Sequence, residues 1–491
     1  MHRTESYDDM GDVGDDERWE KFSSFHAYLE EAFPLLHATL RLEKVNTYGL
    51  VYHWKGSDES LEPILLAAHQ DVVPVNEDTL DEWEYPPYSG HFDRETQSIY
   101  GRGSIDDKSG LIGLMVTIET LLEHSFEPAR TIVLASGFDE ESNGLHGARH
   151  ISSHLLHEYG EGSFAMLVDE GGGYVELFGS VFAVPGVAEK GYLDTVVKVA
   201  SPGGHSSAPP SHTTIGILSA SIVALEDDQF PAHLTRSSPV YDTMLCTAAH
   251  AEEVPEDLRK LIESSVYSDG ALDQLQDLII QDEDTTLKNS IRTTLAATVT
   301  GGGFKANALP EDAWAIVNYR IASYSSVQET KDHKIAALID IAKGFNLSFT
   351  AFGKQISEEG EPAWGVLDLS DPFDSASEPS PVAPIDSEAY RILSGSIKAT
   401  YGAHRHIYGS VGVQENKLED EIIVSPGLMS GTTDTKHYWN LTENIFRYGH
   451  LNGGHSPGIH TVNEHIRATD FAEVIRFYTT LILNVDEATG L

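Results

Sequence analysis

The feature that most constrains this chain is a pattern used three times: a short apolar run, of strand length, closing on acidic or imidazole residues. Leu61 to Ala68 runs into His69-Gln70-Asp71, Ile132 to Ser136 into Asp139-Glu140-Glu141, and Phe164 to Val168 into Asp169-Glu170-Gly171-Gly172-Gly173. Runs this short and this apolar, ended by turn formers, read as buried strands. A fourth acidic pair, Asp106-Asp107, follows the Tyr100-Gly101-Arg102-Gly103-Ser104 loop and precedes Leu111, Leu114, Met115, Ile118, Leu121 and Leu122 at helical spacing. In an open α/β sheet the carboxyl ends of the strands form the ligand crevice, so Asp71, Asp106, Glu140 and Asp169 are expected to converge there.

Residues from about 19 to 189 alternate helical and strand patterns, as an α/β layer does. From Tyr192 the register changes. Strands at 193–200, 313–321 and 347–352 with helices at 213–225 and 327–343 describe a separate α+β unit inserted into the first. The domain reading is 1–191 for the first part of one domain, 192–352 for the insertion and 353–491 for the returning part. Within the insertion, 252–284 is acidic and amphipathic, an elaboration. A Pro/Ser/Asp-rich stretch, 368–384, reads as the returning linker.

Composition removes several function classes. The chain has 491 residues, with 32 Lys and Arg against 77 Asp and Glu, a formal net charge of -45. A phosphate backbone would be repelled, so nucleic acid is excluded as a partner. One cysteine, Cys246, allows neither an internal disulfide nor a Cys-based zinc knuckle. No apolar stretch approaches the ~20 residues of a membrane span, and the polar N-terminus does not read as a signal peptide. The compartment stays open: a vacuolar or secretory route would follow from an upstream anchor or signal.

The acidic and imidazole clusters carry the chemistry. His69 and Asp71 share a face by strand alternation, so the carboxylate can steady the imidazole. Adjacent carboxylates such as Asp106-Asp107 repel each other unless a cation or water is near. Glu140 and Glu141 can divide labour, one holding metal and the other a water proton. His205, in Gly203-Gly204-His205-Ser206-Ser207, can polarise a carbonyl. His460 lies in a second glycine-bounded loop. His146, His150, His154 and His157 have helical spacing and read as a solvated helix face. Nitrogen and oxygen ligands together favour Zn²⁺, with Co²⁺ or Mn²⁺ as substitutes. Two such ions about 3.5–4 Å apart can share and acidify a water, which is hydrolytic chemistry on an amide or ester.

These ordered motifs resemble the M20 family of metallopeptidases, and within it the carboxypeptidase S branch (Gly-Xaa carboxypeptidases) with the related N-acyl-amino-acid hydrolases. The resemblance runs from Thr4-Glu5-Ser6-Tyr7-Asp8 to the last helix. It implies a di-zinc exopeptidase-type domain, a mixed sheet between helices, carrying an inserted α+β lid and dimerisation domain. It implies two Zn²⁺ per subunit: His69, Asp106 and Asp169 on one, Asp106, Glu141 and His460 on the other, with the Asp106–Asp107 peptide cis. Asp71 would orient His69 and Glu140 would be the general base. His205 would stabilise the oxyanion, in its own or a partner subunit's site, with Asn307 in the same region. Arg320 and the backbone at Gly431 would hold the substrate's free carboxylate. The expected substrates are small peptides or N-acyl amino acids. Two other readings stay open: an N-fatty-acyl amino-acid synthase/hydrolase, and a binding protein without catalysis on the same fold.

Overall fold

In the computed structural model, residues 2–282, 285–357, 363–373, 375–408, 421–453 and 458–491 are described. Positions 283–284 of the acidic insertion and 374 of the returning stretch lie outside them.

The larger sheet has eight strands in the order Arg41–Val45, Gly49–Trp54, Ile132–Ser136, Ile64–Ala67, Met166–Asp169, Ile445–Arg447, Gly186–Glu189, Gly427–Met429. Its central strands, 132–136, 64–67, 166–169 and 445–447, run parallel. The two strands 41–45 and 49–54 at one end are antiparallel. Alternation divides each central strand between two cores. Ile64, Leu66, Ile132 and Leu134 pack with Leu111, Leu114, Ile118 and Phe477 from the helices Lys108–Glu123 and Ala468–Glu487. Leu65, Ala67, Val133 and Ala135 pack on the other face with Ile151 and Leu155 of the helix Ala148–Tyr159. Burial on both faces explains why these strands are continuously apolar.

The inserted unit is a six-stranded sheet in the order Thr294–Gly302, Asp312–Ile321, Gly191–Ala200, Gly365–Ser370, Leu347–Ala351, Lys354–Gln355. Here the strands alternate buried and part-exposed residues. Their buried faces pack against the helices Thr214–Asp227 and Val327–Gly344. The expected mixed α/β architecture is present, and the second sheet also takes in a strand from beyond 352. Gly365–Ser370 pairs with both Gly191–Ala200 and Leu347–Ala351. Leu367 and Leu369 enter the core while Asp368 and Ser370 face outward. Those outward polar residues are what make the stretch read as linker. The 252–284 segment contributes the helices Glu256–Ser265 and Asp269–Gln281, which pack with Pro239–His250 around Tyr241, Ile262 and Leu275.

The N-terminal segment braces the larger sheet. Thr4 Oγ1 donates to the Gln70 carbonyl, and Glu5 pairs with Val72 as an isolated bridge. Among the described residues no helix is long and apolar enough to cross a membrane.

Candidate metal and hydrolytic site

His69, Glu140, Glu141 and Glu170 stand just beyond the strands 64–67, 132–136 and 166–169, and the Asp106 loop meets them at the start of the helix Lys108–Glu123. The turn after Ala67 is fixed by Gln70, whose amide donates to the carbonyls of Tyr48 and Ser136 while its oxygen meets His26 Nε2. His69 is buried. Its Nδ1 lies 3.2 Å from Asp71 Oδ1, and its Nε2 lies 2.9 Å from Asp106 Oδ1. Asp71 does more than steady the imidazole. Its carboxylate accepts from the backbone N–H groups of Glu140 and Glu141, each at 3.1 Å, and from Ser6 Oγ at 2.6 Å. One buried carboxylate therefore sets the imidazole and the acidic loop in the same frame.

Asp106 lies between the two imidazoles. Its second oxygen, Oδ2, is 3.0 Å from His460 Nε2, which is also 3.1 Å from Glu141 Oε2. The two loops are tied by Glu464, which accepts from Ile105 N at 2.9 Å and from Arg102 Nη1 at 2.7 Å. Nothing in the sequence marked Glu464 for this task. The Asp106–Asp107 peptide is cis. Asp107 caps the helix Lys108–Glu123 by accepting from Gly110 N.

The sequence reading placed Asp169 with His69; the structure brings Glu170 there instead, with its Oε1 3.5 Å from His69 Nε2. Asp169 is the last paired residue of its strand, opposite Arg447, and its Oδ1 accepts from Glu170 N. Beyond the ladder the pleat no longer dictates side-chain direction. The loop does, and Gly171 makes it: φ is 156°, and a Cβ there would meet the Arg447 carbonyl carbon at 2.5 Å. Two groups of three donors could hold a cation: His69, Asp106 and Glu141, and His69, Asp107 and Glu170.

The electrostatics fit divalent cations. Burial pushes the carboxyls of Glu140, Asp107 and Glu170 well above the usual range, and neighbouring carboxylates push further while His69 opposes. The His69 imidazole is held well above its ordinary value by Glu170, Asp106 and Asp71, against burial. His460 is pushed up to about 10 by its hydrogen bonds to Asp106 and Glu141. Glu141 Oε1 and Asp107 Oδ2 are buried with no hydrogen-bond partner. Crowded carboxylates with orphaned oxygens beside imidazole nitrogens form a donor set of the zinc type.

The cluster opens on a cavity of about 690 Å³ that also contains Arg320 and Gly431. The Arg320 guanidinium lies over the Tyr192 ring at 4.7 Å and reaches Thr432 Oγ1 at 3.5 Å. Beneath this wall Glu189 accepts from Thr433 N and Oγ1, Thr435 Oγ1 and Arg447 Nη2. Sequence reasoning missed Glu189, Arg447 and Tyr192. Each sits in a strand pattern with nothing to mark it apart from a charge or ring in an apolar context.

His205 and Asn307 are not brought to this cavity. Both are exposed on the inserted unit, where the strand Gly204–His205 pairs with Ala308–Leu309 and Ser206 N donates to the Asn307 carbonyl. Ser207 N donates to His205 Nδ1, and Ser207 Oγ lies 2.7 Å from the same nitrogen.

A model of peptidase family M20/M25/M40 matches residues 65–484. Carboxypeptidase S of Saccharomyces cerevisiae is 40% identical over 477 residues, covering 96% of this chain and 80% of that one. The N-fatty-acyl-amino acid synthase/hydrolase PM20D1 of Homo sapiens is 32% identical over 475 residues, covering 94% and 82%. Human carnosine dipeptidase 1 has the same fold, with a TM-score of 0.65 at 13% identity over 97% of this chain and 93% of that one.

Proposed function

This chain belongs to peptidase family M20/M25/M40 and is a hydrolase, and on that premise we propose that it cleaves an amide bond adjacent to a free carboxylate, in small peptides or N-acyl amino acids. The observation that carries the reading is one cavity with two chemistries. The acid and imidazole cluster lines one side, and Arg320 with Gly431 lines another. Reading the chain as a binding protein without catalysis is set aside by its membership of a hydrolase family.

His69, Asp106 and Glu170 would hold one cation, and Asp106, Glu141 and His460 a second; zinc suits these donors. When bound, such a pair would acidify a water and polarise the scissile carbonyl. Glu140 would take a proton from that water and pass it to the leaving amine. Arg320, placed over the Tyr192 ring, would pair with the substrate carboxylate, and the Gly431 backbone would flank it. Together they fix the amide relative to Glu140, converting binding into orientation. The exposed positions of His205 and Asn307 support their delivery to a partner subunit's cavity in a homodimer formed through the inserted unit.

The test is hydrolysis of matched N-acyl amino acids and their carboxamides by metal-stripped protein, before and after Zn²⁺ addition. Metal-restored cleavage confined to free carboxylates is expected. Equal cleavage of the carboxamides would refute the clamp. Met429, Leu451 and Val474 line the same cavity and favour a second reading, an apolar acyl chain as the amine substituent. A long-chain acyl amino acid assayed beside a Gly-capped dipeptide decides between the two.

A further inference from the structure

We propose that Glu43, His53, His154 and Glu158 form a separate site for one divalent d-block cation, zinc foremost, at the edge of the larger sheet. The site shares no residue with the hydrolytic cavity.

Three elements converge to build it. In the antiparallel pair 41–45 and 49–54, His53 lies opposite Arg41, and Glu43 follows two residues later on the same face. His154 and Glu158 are one turn apart on the helix Ala148–Tyr159, which packs across these strands. Two imidazole nitrogens and two carboxylate oxygens meet. His53 Nε2 is 3.5 Å from Glu43 Oε2 and 3.8 Å from Glu158 Oε2. His154 Nε2 is 2.6 Å from Glu43 Oε2 and 3.5 Å from Glu158 Oε2. A tetrahedron with bonds of about 2.0–2.1 Å has edges of about 3.3–3.4 Å. Three of the four separations are near that value, and the fourth opens by under an ångström.

An ordinary ion pair does not account for the cluster. Protonated His154 between two glutamates would satisfy itself, but His53 Nε2 would gain nothing. That nitrogen is buried and makes no hydrogen bond, and the His53 side chain is only 3% exposed. Its other nitrogen is committed, since Nδ1 lies 2.8 Å from Tyr159 Oη. With Nδ1–H donating to Tyr159, the Nε2 lone pair points into the cluster, as the outer contact of a metal-bound histidine arranges.

Arg41 completes the arrangement. It pairs with Oε1 of Glu43 at 2.5 Å and with Oε1 of Glu158. Each carboxylate therefore spends one oxygen on Arg41 and offers the other, Oε2, to the centre. Two glutamates and one arginine leave the cluster one negative charge, so a cation is still attracted. A cavity of about 760 Å³ lined by Arg41, His53 and Glu158 provides access. Bound there, the cation would tie the edge strands to the helix that follows the Glu140–Glu141 loop.

The test is metal content and cobalt spectroscopy on the full chain, wild type against His154→Gln and Glu158→Gln. Both positions are about one-third exposed on a surface helix and stand outside the hydrolytic cavity. The expected result is loss of one equivalent of zinc in each variant at unchanged kcat/KM. Cobalt-loaded wild type should also show tetrahedral visible absorption in excess of both variants, whose remaining bands belong to the hydrolytic cluster. Unchanged circular dichroism and activity certify that the variants are folded. Equal zinc stoichiometry and identical cobalt spectra in wild type and both folded variants would overturn the proposal.

Discussion

Replacing Glu189 by alanine probes how the carboxylate-facing wall is held, at a distance from the reacting atoms. The side chains of Glu189 and Arg447 are each 1% exposed and lie 3.1 Å apart. The carboxylate also receives Thr433 N at 2.9 Å, Thr433 Oγ1 at 2.7 Å and Thr435 Oγ1 at 2.9 Å. Without it, Arg447 keeps hydrogen bonds to the neutral oxygens of Thr435 and Ile445 and a weaker attraction to Asp169. Removing one partner of a buried pair costs about 3–5 kcal/mol, because the remaining charge stays desolvated. For 491 residues, an unfolding entropy of about 2.1 cal/mol/K per residue amounts to roughly 1 kcal/mol/K, so Tm should fall by about 3–5 °C. The Thr433–Thr435 turn loses the group that three of its donors share, and Gly431 and Thr432 lose their support. KM for free-carboxylate substrates should rise about tenfold, the scale of ~1.4 kcal/mol, with kcat changed less. Calorimetry and steady-state kinetics read both quantities. A Tm within about 1 °C of wild type together with an unchanged KM would refute the reasoning.

Glu140→Gln should lower kcat by about 10²–10⁴ while metal content, measured by mass spectrometry, stays at the wild-type level; loss of metal would reassign Glu140 to cation binding. Arg320→Ala should depress kcat/KM for free carboxylates by about 10²-fold, or ~2.7 kcal/mol, and leave carboxamides unaffected, so a parallel loss on both would remove the clamp. His205→Ala and Glu140→Gln, each inactive alone, should regain activity when mixed and allowed to exchange subunits; no recovery would place His205 outside the partner's site. Burial holds His26 and His437 at about 4, below their ordinary 6.5. The unfolded chain therefore takes up more protons between those values, and stability present above pH 6.5 is lost as pH falls toward 4. The Tm difference between wild type and His26→Gln should therefore shift against wild type as pH falls from 6.5 toward 4, and a pH-independent difference would contradict the burial argument.

Much of the architecture was legible because local rules and burial agreed. Pro34 separates the helices Lys21–Ala32 and Pro34–Thr39, opening the second as a proline at the first helical position does. The helix expected from Lys108 ends at Glu123, and the strand expected at 313–321 spans Asp312–Ile321. The strands missed had weaker patterns. Thr294–Gly302 is exposed at the sheet's edge, rich in Thr, Ala and Gly and without an apolar alternation to detect. Gly365–Ser370 carries its signal in two leucines beside aspartate and serine.

At the site, the sequence by itself determined which segments meet. Apolar runs too short to be helices had to be buried strands, and the acids and imidazoles closing them had to gather at the sheet's carboxyl edge. Only the tertiary structure decided which atoms face one another there. Glu170 rather than Asp169 turns to His69 because the ladder ends at Asp169 and the loop, pressed against Arg447, sets the next side chain. His205 and Asn307 lie on the surface of the inserted unit because the short two-stranded ladder there, 204–205 with 308–309, stands apart from the larger sheet. His53 and His154, a strand residue and one of four histidines read as a solvated face, become neighbours through the packing of one helix on the edge strands. Periodicity fixes the face a residue occupies within its own element, whereas contacts between elements depend on crossing, register and loop geometry, which no local pattern encodes.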